Sequence, residues 1–276
     1  MAGEFPLIQK ESIRKKLTKV KKLIVTGATG GIGSEIARLA SANDYKVGLI
    51  DTDEEKLTSL SKQINNSVPL LADVTSEESI KTALNNFSEI PDALVNCAGI
   101  VRYGSLLEQN PEDFTKVFEV NLLGCFIVSC AVVKLMVKNN SGTIVNVSSI
   151  SGGKHPAIGT GAYAATKAGI VMLSEQMSLE WGKDGIRVNA ISPGFINTGM
   201  SAPHYKDNQE RKKRENKNML QPHVLRGGCW YFKWYGLRVA LRNKQSPDKA
   251  DNKIGFRCVR SYDSIEDIKW NVEPAD

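Results

Sequence analysis

Short apolar runs recur at 23–26, 46–50, 67–71, 92–95, 143–147 and 186–191, and the longer segments between them carry apolar residues at helical spacing. In the first such segment Ile32, Ile36, Leu39 and Ala40 fall on one helical face. The alternation predicts strands joined by helices at about 32–43, 54–65, 76–88, 111–138 and 161–182, the pattern of a doubly wound α/β fold on a parallel sheet. Helix starts are marked chemically. Asp53 and Ser76 each stand before a pair of glutamates, and Asn110 stands before Pro111, which suits the first helical position. After Met200 the rhythm stops.

Composition sharpens that break. Of the 276 residues 41% are hydrophobic and 24% charged, which is globular and excludes wholesale disorder. The formal net charge is +6, from 36 basic and 30 acidic residues. All of that excess lies in 201–276, together with three of the four tryptophans, so a join is expected near residue 200. Residues 1–22 read as a polar, basic tail and 201–222 as a charged linker. The run Arg211, Lys212, Lys213, Arg214 has aromatic residues nearby but no recognition motif, so it reads as linker and not as a nucleic-acid site.

The longest uncharged apolar stretch, Leu122–Val133, is 12 residues. A span needs about 18 or more, so no membrane crossing is expected. The first residues lack an apolar core of the kind signal peptides have. Five cysteines, odd in number and without ligand spacing, predict reduced thiols in a cytoplasmic protein and no metal site. Cys97, Cys125 and Cys130 are expected to pack as small apolar groups.

The segment Thr26, Gly27, Ala28, Thr29, Gly30, Gly31, Ile32, Gly33 follows the first strand and opens the first helix. Glycines there allow a tight turn and a close approach of backbone amides to a pyrophosphate, and the helix start adds partial positive charge. The second strand ends at Asp51, eighteen residues after Gly33. A carboxylate at that place accepts hydrogen bonds from both ribose hydroxyls of NAD and repels the 2′-phosphate of NADP. Asp53, Glu54 and Glu55 nearby add to the repulsion.

Further motifs follow in order: Asp73 and Val74, then Asn96, Cys97, Ala98 and Gly99, then Asn121, Ser149, Tyr163 with Lys167, and Pro193, Gly194, Phe195, Ile196, Asn197, Thr198. With the glycine segment they resemble the classical short-chain dehydrogenase/reductase family over about residues 22–200. The resemblance implies a Rossmann-type sheet binding a nicotinamide dinucleotide. It assigns the cofactor to Gly27, Thr29, Gly31, Ile32, Gly33, Asp51, Asp73, Val74, Asn96, Ala98, Gly99, Tyr163, Lys167, Pro193, Gly194, Ile196 and Thr198. Cys97 stands where the family has a second Asn.

Tyr163 and Lys167 are four apart and share one helical face. A phenol is a poor base at neutral pH, and a nearby ammonium is expected to lower its pKa and make proton exchange with an alcohol or carbonyl feasible. By the resemblance, Ser149 holds the carbonyl oxygen against Tyr163, Lys167 also binds the cofactor ribose, and Asn121 holds a water that extends the proton relay. Ser148 and Ser151 lie close to Ser149. His155 reads as a substrate-contact or surface residue. The implied activity is NAD(H)-dependent interconversion of an alcohol and a carbonyl on a small or medium apolar molecule. A homodimer through the helices at 111–138 and 161–182 is also implied.

Beyond residue 200 the covering segment and Gly-rich final strand of that family are not found. Val224–Trp230, Leu237–Arg242 and Ile254–Cys258 instead resemble the C-terminal end of the formylglycine-generating enzyme (sulfatase-modifying factor) family, over about residues 223–258. The active members' cysteine pair has no counterpart in 230–236, so copper binding and formylglycine formation do not carry over. Two rival readings follow: a catalytically silent dinucleotide-binding protein, and a fusion whose tail binds a partner.

Overall fold

A computed structural model describes residues 20–153, 157–194, 196 and 198–200, with the backbone of two short strands further on. The tail 1–19, His155, the linker with its basic run, and most of the segment from 223 lie outside the described residues. The chain divides into two units, Met1–Asn216 and Lys217–Asp276.

The first unit holds six strands: β1 Lys22–Thr26, β2 Lys46–Asp51, β3 Ser67–Leu71, β4 Ala93–Asn96, β5 Gly142–Val147 and β6 Ile186–Ile191. They form one sheet in the order β3-β2-β1-β4-β5-β6, and every pairing is parallel. The connections are α1 Gly31–Ala42, α2 Glu54–Gln63, α3 Glu77–Phe87, α4 Pro111–Phe118 running into α5 Gly124–Met136, and α6 Gly161–Trp181. Strand order reverses between β1 and β4, so the loops leaving these two strands diverge and open a crevice at the carboxyl end of the sheet.

Helices cover both faces, which is why the strands read as apolar runs and not as alternating ones. Ile24, Ile50, Leu94 and Ile144 pack with Phe87, Val128, Met136 and Met177 on one side. Leu23, Val25, Val47, Leu49 and Val95 pack with Ala37, Leu57 and Leu60 on the other. Between β4, β5 and the helices runs a buried polar chain. Asn96 Nδ2 donates to Ser129 and to Asn146 Oδ1, and Asn146 Nδ2 donates to Ser174 Oγ, each at 2.8 Å.

The expected helix starts are capped. Asp53 accepts from Lys56 N, Ser76 from Ser79 N, and Asn110 from Asp113 N. The Asn110 bond is 2.6 Å long and fixes the entry into α4. Replacing Asn110 by Ala should cost about 1 kcal/mol, the usual worth of an N-cap. Urea unfolding measures this, and an unchanged midpoint would show that the cap contributes nothing.

Two features differ from the sequence reading. The helix expected over 111–138 is broken at Glu119–Leu123 by one π-helical turn, in which Gly124 N bonds to Glu119 O. The rod Pro111–Asn139, 29 residues with a mean hydropathy of 2.2 over its most apolar window, is also long and apolar enough to cross a membrane. Half of its most apolar window is buried in the domain, as befits a helix packed on a sheet. At the other end of the sheet, no strand among the described residues pairs with the outer edge of β6. In the second unit His223–Arg226 and Arg242–Gln245 form an antiparallel pair, β7 and β8.

Candidate active site

The glycine segment leaves β1 at Gly27, whose φ of +62° is a conformation that residues with a Cβ rarely adopt. A Cβ there would also lie 2.7 Å from the backbone of Ala98, so the two loops at the switch point touch directly. Gly33 packs on the carbonyl of Gly27, and Gly31 packs on the side chain of Thr198. Thr26 Oγ1 accepts from Cys97 N at 3.1 Å and Ala98 N at 3.2 Å, which ties the second loop to β1. Unlike α2, α3 and α4, helix α1 has no side chain on its cap: Gly30 makes no side-chain bond. Its first amides therefore face the crevice unpaired by any capping group.

Asp51 sits at the end of β2. Its carboxylate accepts from Thr29 N at 2.9 Å, Thr29 Oγ1 at 2.8 Å and Thr52 N at 2.8 Å. Asp73 turns back on Thr75, accepting from its amide and hydroxyl at 2.8 Å. Partial burial pushes the Asp73 carboxyl up, but those two bonds and the charge of Lys116 outweigh it and leave its pKa below the usual value. Val74 is buried against Gly124.

A cleft of about 370 Å³ opens beside the switch point. Of the residues expected at the site, it is lined by Ile32, Gly99, Ser149, Tyr163, Lys167, Pro193, Gly194, Ile196 and Thr198. Its mouth is apolar: Tyr103, Ile158, Ile196 and Met200 line it and are exposed. Gly27, Thr29 and Ala98 lie on the adjoining loops, Gly31 and Gly33 in the first turn of α1 and Asp51 at the end of β2, all outside the cleft lining.

Ser149 and Tyr163 both line the cleft, and the Ser149 hydroxyl accepts from Ser151 N at 3.1 Å. Its neighbour Ser148 points the other way, to the Lys167 carbonyl at 2.6 Å. Lys167 is buried, with Nζ 2.8 Å from Val147 O and 5.6 Å from the centre of the Tyr163 ring. Asn121 is buried within the π-helical turn. Its Oδ1 accepts from Ile100 N at 2.8 Å, and its Nδ2 donates to Ile100 O at 3.0 Å and Thr166 Oγ1 at 3.1 Å. A Cβ on Gly99 would lie 3.3 Å from both Asn121 Oδ1 and Lys167 Nζ, so these groups meet behind Gly99.

One expectation needs correction. The sequence reading lowers the pKa of the Tyr163 phenol. Burial instead pushes it above its usual value, with the Ser149 hydroxyl opposing. Lys167 is itself desolvated, its pKa pulled down to about 8. The side chain of Asn96 points into the core, where strand alternation places it. Both amide protons of Asn121 are given to protein acceptors.

Thr26 and Ser148 stand at the edges of the quoted motifs and Thr166 inside one, but nothing in their spacing shows what they do, because each acts on a residue far away in the chain. Cys97 lines the cleft, and burial pushes its thiol up to about 11 and that of Cys125 to about 12, so neither is a nucleophile at neutral pH. Among the described residues no group of acidic, His or Cys side chains is arranged to hold a metal.

Residues 21–209 match the family model described as short chain dehydrogenase, and residues 180–262 match that of the Sulfatase-modifying factor enzyme 1-like domain. The chain is 35% identical over 197 residues to 3-oxoacyl-[acyl-carrier-protein] reductase of Rickettsia conorii, covering 71% of this chain and 78% of the relative. It resembles the crystal structure of a gluconate 5-dehydrogenase from Burkholderia cenocepacia in complex with NADP and tartrate. There the TM-score is 0.66 at 28% identity, over 70% of this chain and 78% of the other. A 3-oxoacyl-[acyl-carrier protein] reductase from Brucella melitensis with bound NAD gives a TM-score of 0.64 at 29% identity, over 74% of this chain and 80% of that one.

Proposed function

The chain belongs to the short-chain dehydrogenase family, and on that premise we propose that it is an NAD(H)-dependent oxidoreductase interconverting an alcohol and a carbonyl. The observation that carries this reading is the convergence of Ser149, Tyr163 and, one helical turn on, buried Lys167 in one cleft. The residues present fit a nicotinamide dinucleotide: the uncapped start of α1, the close-packed Gly27 turn and the carboxylate of Asp51 match its pyrophosphate and ribose. When bound, that group supplies or accepts the hydride.

The protein supplies position and a proton. Ser149 Oγ holds the carbonyl oxygen. Tyr163, kept as a phenol at neutral pH by burial, donates its proton to that oxygen during reduction. Lys167, cationic below about pH 8, stabilises the phenolate left behind and binds the ribose. Asn121 fixes residues 99–100 against Lys167. The apolar mouth favours a small or medium apolar substrate. Oxidation of NADH followed at 340 nm against a panel of ketones and aldehydes tests the reading. NADH binding without turnover on any of them would favour the silent dinucleotide-binding alternative, whose motive is that no strand among the described residues pairs with the outer edge of β6.

Asp51 supports NAD over NADP. Its Ala variant should narrow the NADH-over-NADPH preference by roughly tenfold, the worth of one charge-assisted hydrogen bond. Fluorescence titration with both cofactors measures it, and equal wild-type affinities would overturn the assignment. We further place a homodimer contact on α5 and α6, where Leu123 beside α5 and Phe126, Met172 and Leu179 are exposed. The free thiols of Cys97, Cys125 and Cys130 support a cytoplasmic location.

A further inference from the structure

Lys167 is held at both of its ends by consecutive residues of one strand and its extension. Its ammonium donates to the carbonyl of Val147 at 2.8 Å, and its own main-chain carbonyl accepts from the hydroxyl of Ser148 at 2.6 Å. Ser148 is itself anchored to the sheet, its amide donating to Ile191 O at 2.8 Å. Directly after the next residue the chain lies on the same stretch of α6. A Cβ on Gly152 would collide with the backbone of Lys167 and Ala168.

Ser148 is 2% exposed, and an alanine would fill nearly the same volume. Within a helix a carbonyl already has the amide four residues on as a partner, so the Lys167 carbonyl needs no second donor to be satisfied. The hydroxyl therefore supplies location and not mere saturation. Ser149 follows Ser148 directly, and Tyr163 stands one turn before Lys167. Ser149 and Tyr163 stand on two separate elements, and the Ser148–Lys167 bond ties those elements beside them.

We propose that Ser148 is a positioning residue for the reaction, clamping α6 at Lys167 so that Ser149 and Tyr163 stay within hydrogen-bond reach. This rests on the oxidoreductase reading above. A displacement of about 1 Å in a reacting geometry costs as much as a hundredfold in rate.

The test sets Ser148→Ala beside Ser174→Ala. Ser174 lies on the same helix and bonds Asn146 Nδ2 at 2.8 Å and Ile170 O at 2.6 Å, away from the cleft. Ser148→Ala should lower kcat roughly tenfold with the carbonyl KM within about twofold of wild type, while Ser174→Ala should lower only Tm. Ser148→Thr, which keeps the donor, should recover most of kcat. Ser148→Cys keeps the volume, weakens the donor, and reads the same loss in smaller measure if the alanine variant does not fold.

A second readout needs no turnover. Phenolate absorbance near 295 nm, taken as the difference between each protein and its Tyr163→Phe counterpart, reports Tyr163 alone. Drawing Ser149 away from the phenol in Ser148→Ala should make the Tyr163 ionisation constant about threefold smaller. Ser148→Ala matching Ser174→Ala in both kcat and titration would overturn the clamp. A wild-type protein without turnover overturns the oxidoreductase reading instead, and the titration then decides the clamp by itself.

Discussion

Tyr163→Phe should lower carbonyl reduction by about a hundredfold or more, the range of general acid catalysis. The ring keeps its volume, and only the hydroxyl in the cleft beside Ser149 is lost. NADH affinity should stay within about twofold, because the phenol hydroxyl acts on the carbonyl oxygen and the dinucleotide is held mainly elsewhere. Stopped-flow turnover beside fluorescence titration separates the two quantities. Retention of most of the activity would reject Tyr163 as the proton donor.

Lys167→Met should do two opposite things. Turnover and NADH affinity both fall, since the ammonium serves the phenolate and the ribose. Stability should rise. Burial pulls the Lys167 pKa from 10.5 to about 8, so at neutral pH the folded protein carries an ammonium that the unfolded chain solvates better. That difference corresponds to about 3 kcal/mol, and losing the bond to Val147 returns about 1 kcal/mol of it. The remaining ~2 kcal/mol should raise Tm at pH 7 by about 5 °C for a domain of this size.

The pH dependence has a definite sign. Below pH 8 Lys167 is protonated in both states and its burial cost is present in full. Between pH 8 and 10.5 the unfolded chain binds the extra proton, so wild-type stability rises with pH and the gap to the Met variant closes. Reduction should meanwhile slow above about pH 8 as the ammonium is lost. Calorimetry across that range reads the first effect. A Met variant less stable than wild type at pH 7 would mean that the ammonium is better compensated than the Val147 bond suggests.

Most of the scaffold was legible in the sequence because its signals are local. The strands fall within a residue of their apolar runs, since helices cover both faces of the sheet and its central strands β1, β2 and β4 are buried almost throughout. Asp53, Ser76 and Asn110 mark helix starts because a cap acts within three residues. Tyr163 and Lys167 were legible because helical spacing puts them on one face.

What escaped depends on contacts across the chain. The Tyr163 phenol titrates in the unexpected direction because its burial comes from residues that fold over it. Asn96 reads like a loop ligand but belongs to β4, and only the partners Ser129 and Asn146 reveal where its side chain lies. The π-helical turn at Glu119–Leu123 is silent because the apolar run that follows satisfies any helical register.

That turn separates the needs of the chemistry from those of the core. Each residue of an α-helix advances the face by about 100°. The π turn takes up one residue more than an α turn over nearly the same arc, so deleting a single residue from Glu119–Leu123 would restore unbroken α-geometry and leave the residues downstream in their present phase relative to α4. Val117 upstream and Val128, Val132 and Met136 downstream would keep the core places they fill. The loss would fall on Asn121, whose three hydrogen bonds depend on its place at the centre of the turn. The extra residue serves the loop behind the cleft and leaves the packing of the rod as it would be without it.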